Sequence, residues 1–249
     1  MILPPSETKR EGGADGTMLD LAALGFPELT PQRRTAIAAL RTLSRNLRAA
    51  AVGLRLGASQ RFEIDRNRVL GSSAVMPAVE RYTGVLYEGL DVATLSPAAR
   101  IFAGRHLLIG SALFGLLRAD DPIPAYRLSH NSRLPHVSLR KLWAAPVAAQ
   151  LVATLSTGTD ALLLDLRSES YVALGPAPAG SWYLRVFAED ERGRRTALTH
   201  FNKKGKGEFA RAVCEGGIDH GTVESLLAWA SDCGIRLSMG AVGELDLVV

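Results

Sequence analysis

Three lysines and two glycines fill five consecutive positions in Lys203-Lys204-Gly205-Lys206-Gly207. Glycine lets a backbone approach a ligand closely and adopt positive φ. A helix starting beyond such a stretch offers unpaired N–H groups and a partial positive charge. With Lys203, Lys204 and Lys206 added, the chemistry is recognition of an anion, a phosphate above all. A strand from Thr196 to His200 would feed this loop and bring His200 to its edge. The stretch lacks the Gly-x-x-x-x-Gly-Lys-[Ser/Thr] spacing of the common phosphate loop. A solvated basic turn is the alternative.

Three further clusters lie where strands are expected to end. Ser6, Glu7 and Lys9 follow the apolar Met1-Ile2-Leu3, which Pro4-Pro5 terminates. Ser168 belongs to Arg167-Ser168-Glu169-Ser170-Tyr171, just past the apolar run Ala161 to Leu166. Tyr126 and Arg127 follow the rigid Pro122-Ile123-Pro124. Open α/β sheets place ligands outside the C-terminal ends of their strands. There Glu7 would serve as general base or acid if burial raised its pKa, with Lys9 beside it. Solvated loops are the competing interpretation.

A different chemistry is written into Pro31 to Leu70, where nine arginines face two acids. Thr30-Pro31 is a helix start, and the pattern predicts one helix to about Leu56. Leu40, Leu43, Leu47, Ala51 and Leu54 share its apolar stripe. Arg34, Arg41, Arg48 and Arg55 recur every seven residues on another stripe, joined by Arg45. Exposed helix faces normally mix charges. A one-signed arginine face suits a polyphosphate backbone, or it is an ordinary solvated face.

The remaining elements position these groups. Met18 to Leu24 reads as a short helix. Arg81 to Leu90, with its two glycines, reads as a strand edge or a loop. Ser96-Pro97 starts a helix to about Gly104. His106 to Leu117 reads as a strand, a small-residue turn, then a short helix or loop. Ser138 caps a helix to about Ser156. Trp182 to Ala188 and Arg194 to His200 form a hairpin. Thr222 to Ser231 is a helix, and Arg236 to Met239 and Glu244 to Val249 are closing strands. The expected fold is α/β: six or seven strands in a mixed parallel and antiparallel sheet, with crossover helices, in one compact domain over residues 1–249.

The bulk properties narrow the class. The chain has 249 residues, 47% hydrophobic and 22% charged, with a formal net charge of +4 and a pI near 9.3. A mildly basic balance fits an anionic partner. No apolar run reaches the ~18 residues of a membrane span, and Met1 to Lys9 has no signal-peptide core. Cys214 and Cys233 are isolated, which fits a reducing cytoplasm. No histidine pair has metal-ligand spacing, so neither metal nor cofactor is expected.

Several motifs together resemble one family, the bacterial peroxide-stress YaaA proteins. Pro4-Pro5-Ser6-Glu7-Thr8-Lys9 is similar to its N-terminal Pro-Pro-Ser-Glu-x-Lys element. Tyr82 to Leu90 resembles its Tyr-x-Gly-x-Val-Tyr-x-Gly-Leu element, and His106 to Asp120 its His-Leu-…-Leu-Arg-Pro-x-Asp run. Pro124-Ala125-Tyr126-Arg127-Leu128 resembles Pro-Tyr-Arg-Leu-Glu, and Lys203 to Gly207 its Lys-Lys-x-x-Gly. The resemblance runs over nearly the whole chain. It implies a mixed α/β domain with a basic cleft, double-stranded DNA binding, protection against peroxide and limitation of free iron. The family's helix–hairpin–helix element would lie near the arginine-rich helix. Four positions depart from the pattern: Ser170 and Ser129 stand where glutamates are usual, and Ala112-Leu113-Phe114-Gly115 replaces Gly-Leu-Tyr-Gly.

Two functions therefore compete. One is a DNA binder of the oxidative-stress response that contacts phosphates through the arginines and through Lys203, Lys204 and Lys206. The other is an enzyme on a nucleotide or nucleobase. Its pocket would gather Ser6, Glu7, Lys9, Tyr126, Arg127, Ser168, His200, Lys203 and Lys204.

Overall fold

The two-residue strand β1 (Ile2–Leu3) is fully buried at the middle of the main sheet. This is a computed structural model, and it describes residues 1–156, 162–189, 195–197 and 201–249. His200 lies outside the described residues. A single 3-10 turn at Leu21–Ala23, capped by Asp20, stands where a short helix was expected. Then come α1 (Thr30–Ser44), α2 (Leu47–Gly53) and α3 (Phe62–Arg68). The one long helix expected from Thr30 is thus two. Asn46 takes extended angles and its side chain accepts from the Ala49 N–H at 2.9 Å. An asparagine N-cap restarts the helix in a new direction, so the seven-residue arginine repeat does not form one straight stripe.

The chain continues through β2 (Met76–Pro77), α4 (Ala78–Arg81), α5 (Val85–Leu90), α6 (Pro97–His106), β3 (Leu108–Ser111), β4 (Gly115–Arg118) and β5 (Pro122–Ile123). Arg81 to Leu90 is therefore mostly helical, and Gly84 at φ +97° turns the chain into α5. The Ser96 hydroxyl caps α6 as its sequence predicts. The second half of His106 to Leu117 is a strand. Gly115, at φ +75° and with the Trp143 ring against the place of its missing Cβ, folds β4 back on β3 as a tight hairpin.

Beyond these lie α7 (Leu139–Ser156), β6 (Leu164–Asp165), α8 (Glu169–Val172), β7 (Trp182–Glu189), β8 (Arg195–Ala197), α9 (Phe201–Gly216), α10 (Val223–Asp232), β9 (Leu237–Met239) and β10 (Glu244–Val248). The main sheet runs β4-β3-β1-β6-β7-β10-β9, with β8 paired to β7; β2 and β5 pair separately. The pairs β3–β1, β1–β6, β6–β7 and β7–β10 are parallel, while β4, β8 and β9 are antiparallel additions. The sheet is mixed and helix-flanked, as expected, with more strands than the six or seven foreseen.

The lysine–glycine stretch is not a loop. It lies inside α9, and its glycines serve packing. A Cβ on Gly207 would stand 2.0 Å from the Leu86 carbonyl oxygen, and one on Gly89 would stand 2.8 Å from that of Lys204. Glycine at both positions lets α5 and α9 cross with their backbones almost touching.

Arg33, one of the nine arginines, is also structural. It is fully buried, and its guanidinium donates to the carbonyls of Phe114 (3.0 Å), Gly25 (2.7 Å) and Leu116 (2.8 Å). It ties α1 to the β3–β4 hairpin.

Candidate functional site

The five parallel strands point their C-terminal ends to one edge of the sheet. From β1 the chain moves to neighbour β3 on one side, while from β6 it moves to β7 on the other. Loops after such adjacent strands diverge and leave a crevice, the usual ligand position of this architecture. Pro4 to Lys9 follows β1, and Leu166 to Ser168 follows β6.

The β1 loop is held open by small polar contacts. Ser6 and Thr8 hydroxyls lie 3.2 Å apart, and Thr83 donates to Thr8 at 3.0 Å. A Cβ on Gly84 would stand 3.1 Å from the Ser6 hydroxyl, so glycine there also makes room. The Glu7 carboxylate accepts from Arg127 Nη2 at 2.6 Å. Burial pushes the Glu7 pKa up, but the Arg127 charge and hydrogen bond, with Ser129 and Lys9 behind them, more than offset it. Its pKa falls below the ordinary value. Glu7 is thus an ionised carboxylate paired with Arg127, and the raised pKa on which an acid or base role depended is not found.

Arg127 is itself nearly buried. Asn67 clamps its backbone, accepting from the Arg127 N–H at 2.8 Å and donating to its carbonyl at 2.9 Å. Its Nε is buried and has no hydrogen-bond partner. Such an orphan donor is rare and is the kind of group a ligand oxygen satisfies. Asn67 gives no signal in the sequence; only the folding of α3 over the loop reveals it.

Lys9 is only 6% exposed. Its Nζ donates to the carbonyls of Ser6 (2.8 Å) and Glu7 (3.2 Å). The ring of Tyr126 lies 4.2 Å away and that of Tyr82 5.3 Å away. Tyr126 offers Lys9 its face, because its hydroxyl is occupied by Ser111 and Tyr82, both at 2.7 Å. Burial lowers the Lys9 pKa to about 7, against the pull of Glu63 and Glu7 and with the push of Arg127 and Arg66. A depressed lysine pKa destabilises the fold as protons become available. The unfolded amine charges below its ordinary 10.5, while the folded one resists until about 7. The melting temperature of Lys9→Met relative to wild type should therefore rise as pH falls from about 10 to about 7 and level off below. A difference independent of pH would show that the folded amine stays charged.

Lys206 points inward from α9. It is buried, donates to the Leu166 carbonyl at 3.1 Å, and lies 5.0 Å from the Tyr183 ring centroid. Burial brings its pKa to about 8 although Asp165 raises it. Asp165 and Arg167, both buried, form a two-pronged pair, with Nε to Oδ1 2.8 Å and Nη2 to Oδ2 2.6 Å. Ser168, at the start of α8, is exposed, and its hydroxyl makes no capping bond. Tyr171 stacks edge-on against His130 at 5.0 Å. Lys203 and Lys204 are exposed, and Lys204 pairs with Glu208 at 3.4 Å.

The structure thus brings Ser6, Glu7, Lys9, Tyr126 and Arg127 together, with Ser168 on the adjoining β6 loop and Lys206 reaching that loop from α9. Arg34, Arg41, Arg45, Arg48 and Arg55 are exposed and have no acidic partner among the described residues. Arg48 and Arg55 are not remote from the crevice. The Arg133 N–H donates to the Gly53 carbonyl at 2.7 Å, fastening α2 to the loop that carries Ser129 and His130. Arg55 is close enough to lower the His130 pKa after burial and against Glu7. Between α2 and this loop runs a groove of about 590 Å³ with Arg48, Arg133, Val52, Leu134 and Pro135 among its lining.

Fold and site define an α/β protein with a charged switch-point crevice flanked by an arginine-bearing helical layer. Residues 1–234 match the family described as peroxide stress protein YaaA, and the chain belongs to that family. It is 40% identical to a UPF0246 protein of Corynebacterium efficiens over 100% of this chain and 99% of the relative. A UPF0246 protein of Streptomyces coelicolor is 37% identical over 86% of this chain and 82% of its own length. One from Caulobacter vibrioides is 30% identical over 90% of each. Among the described residues no helix is long and apolar enough to cross a membrane.

Proposed function

We propose that this protein binds the phosphate backbone of double-stranded DNA through α1, α2 and the loop carrying Arg133, in the peroxide-stress setting its family name describes. The observation that carries this is the set of exposed arginines 34, 41, 45, 48 and 55, unpaired with acids among the described residues, of which Arg48 lines the same groove as Arg133. A surface of one sign releases counterions from a phosphate backbone and discriminates little between sequences. Lys203 and Lys204 add exposed charge at α9, whereas Lys206 is committed to the protein interior.

A salt titration on a fluorescent duplex tests the reading. Each lost phosphate contact lowers the log–log salt slope by roughly 0.9, so Arg41→Ala/Arg48→Ala should flatten it by about 2 units. Lys203→Ala/Lys204→Ala tests whether the duplex also crosses α9. Absence of salt-dependent binding, or a slope indifferent to the arginine pair, rejects DNA on this face.

The unpartnered Nε of Arg127 favours a second reading for the crevice itself, as a pocket for a phosphate-bearing, nucleotide-type ligand. Stabilisation against heating by nucleotides or sugar phosphates, lost in Arg127→Met, is its signature.

A further inference from the structure

We propose that Lys9 is an amine nucleophile that forms an imine with the open-chain aldehyde of a phosphorylated deoxyribose, whose phosphate Arg127 receives. The inference rests on the crevice taking a phosphate-bearing ligand. It adds the reacting atom and the substrate class.

The hydrogen bonding of Lys9 fits a neutral amine. A neutral amine has two N–H bonds and one lone pair. Two carbonyl oxygens, of Ser6 and Glu7, take the two N–H bonds. The remaining position on the nitrogen faces the rings of Tyr126 and Tyr82, whose centroids lie 4.2 and 5.3 Å away. No carboxylate ion-pairs with Nζ among the described residues, so no fixed anion holds the third proton in place. Burial acts in the same direction, bringing the amine to half-protonation near neutral pH. Beside it Arg127 offers its buried, unsatisfied Nε, a donor matched to phosphate. Glu7 occupies one Nη and stays ionised.

The step balances without an added oxidant or reductant. The Nζ lone pair attacks the aldehyde carbon, a C–N bond forms, and the carbonyl π pair moves to oxygen. A proton passes from nitrogen to that oxygen. The carbinolamine then takes up a second proton and expels water, which leaves a protonated imine. Water reverses the sequence and frees the lysine. The same aldehyde has two sources. In DNA it is the sugar left by loss of a base, for which an oxidative or hydrolytic base-releasing reaction must act first. In solution it is free 2-deoxyribose 5-phosphate.

Reductive trapping tests this on the full chain. The protein is incubated with borohydride and, separately, a duplex with one abasic site, the intact duplex, free 2-deoxyribose 5-phosphate, or unphosphorylated 2-deoxyribose. The modified residue is located by peptide mass spectrometry, which needs no variant to fold. The expected result is a reduced adduct on Lys9 with the abasic duplex, the free sugar phosphate or both, and none with the intact duplex. Trapping should increase as pH rises through about 7, the value set by burial with Glu63, Glu7, Arg127 and Arg66 around the amine. Arg127→Met should erase the preference for the phosphorylated over the unphosphorylated sugar. Lys9→Arg, checked for folding by thermal melting, should abolish trapping. Trapping by the sugar phosphate alone supports the proposal whatever duplex binding shows, so the two readings fail separately. No adduct, or adducts on exposed lysines such as Lys203 and Lys204 with Lys9 unmodified, overturns it.

Discussion

Gly207→Ala should lower the melting temperature sharply, by about 6–12 °C for a loss of roughly 3 kcal/mol in a chain of this size. The new Cβ would stand 2.0 Å from the Leu86 carbonyl oxygen, 2.9 Å from its carbon and 3.0 Å from the Leu90 nitrogen. All three are backbone atoms of α5 or its hydrogen bonds, so no side chain can rotate away. Relief requires α5 and α9 to separate. That would pull Lys206 from the Leu166 carbonyl and disturb the β6 loop of the crevice. Alanine's better helix propensity returns only about 1 kcal/mol. Gly205→Ala is the control. Its Cβ would meet side-chain carbons of Val249 (2.9 Å) and Val186 (3.2 Å), which can yield, and the propensity gain should leave stability within about 1 kcal/mol of wild type. If Gly207 instead served only a ligand, its alanine variant would melt normally and lose binding alone.

Arg81→Met should be as damaging, at about 3–5 kcal/mol, seen as a comparable fall in melting temperature. Arg81 is fully buried. Its guanidinium donates to the carbonyls of Ile123 (3.1 Å), Gly12 (2.9 Å), Ala74 (3.0 Å) and Arg10. Burial lowers its pKa to about 10, still far above neutrality. Methionine fills similar space but strands the four acceptors, each an unsatisfied group costing roughly 1–3 kcal/mol where water cannot reach. Arg81→Lys cannot repair this, because a compact ammonium does not span four separated oxygens. The segment Arg10 to Gly12 continues from the Lys9 loop, so hydrogen exchange there should quicken in both variants. Unchanged exchange would show that this arginine does not hold the loop.

Much of the crevice is legible in the sequence. Polar clusters directly after apolar runs mark strand ends, because a buried parallel strand must be apolar and its exit is where polar groups first become possible. That reasoning places Ser6, Glu7, Lys9 and Ser168 at one edge, whereas Arg127 lies beyond β5 of the separate two-stranded sheet and is brought there by tertiary folding. The reasoning works for the former because each depends on neighbours in sequence. N-caps behave likewise: Ser96 and Thr222 mark their helices, and Asn46 marks the break in the arginine helix for a reader who weighs the cap above the periodicity.

Tertiary contact decided the rest. Lys203 to Gly207 has the composition of a phosphate-binding turn, yet it is helix. Glycine is tolerated there because α5 comes within backbone contact, and nothing local to the stretch reports α5. The same applies to charge. Arg33 and Arg81 look like Arg34 and Arg41 in the sequence, but the first two meet only carbonyls inside the protein and the others meet solvent. Glu7 was free to be an acid or a base until Arg127, 120 residues away, fixed it as an anion. Lys9 became a candidate nucleophile only when two tyrosine rings closed around it. The sequence by itself determined which strands carry polar exits and which surfaces carry one sign of charge, since both follow from short-range pattern. Protonation, burial and the use of each glycine were decided by the fold, because desolvation and close approach depend on atoms that are distant along the chain.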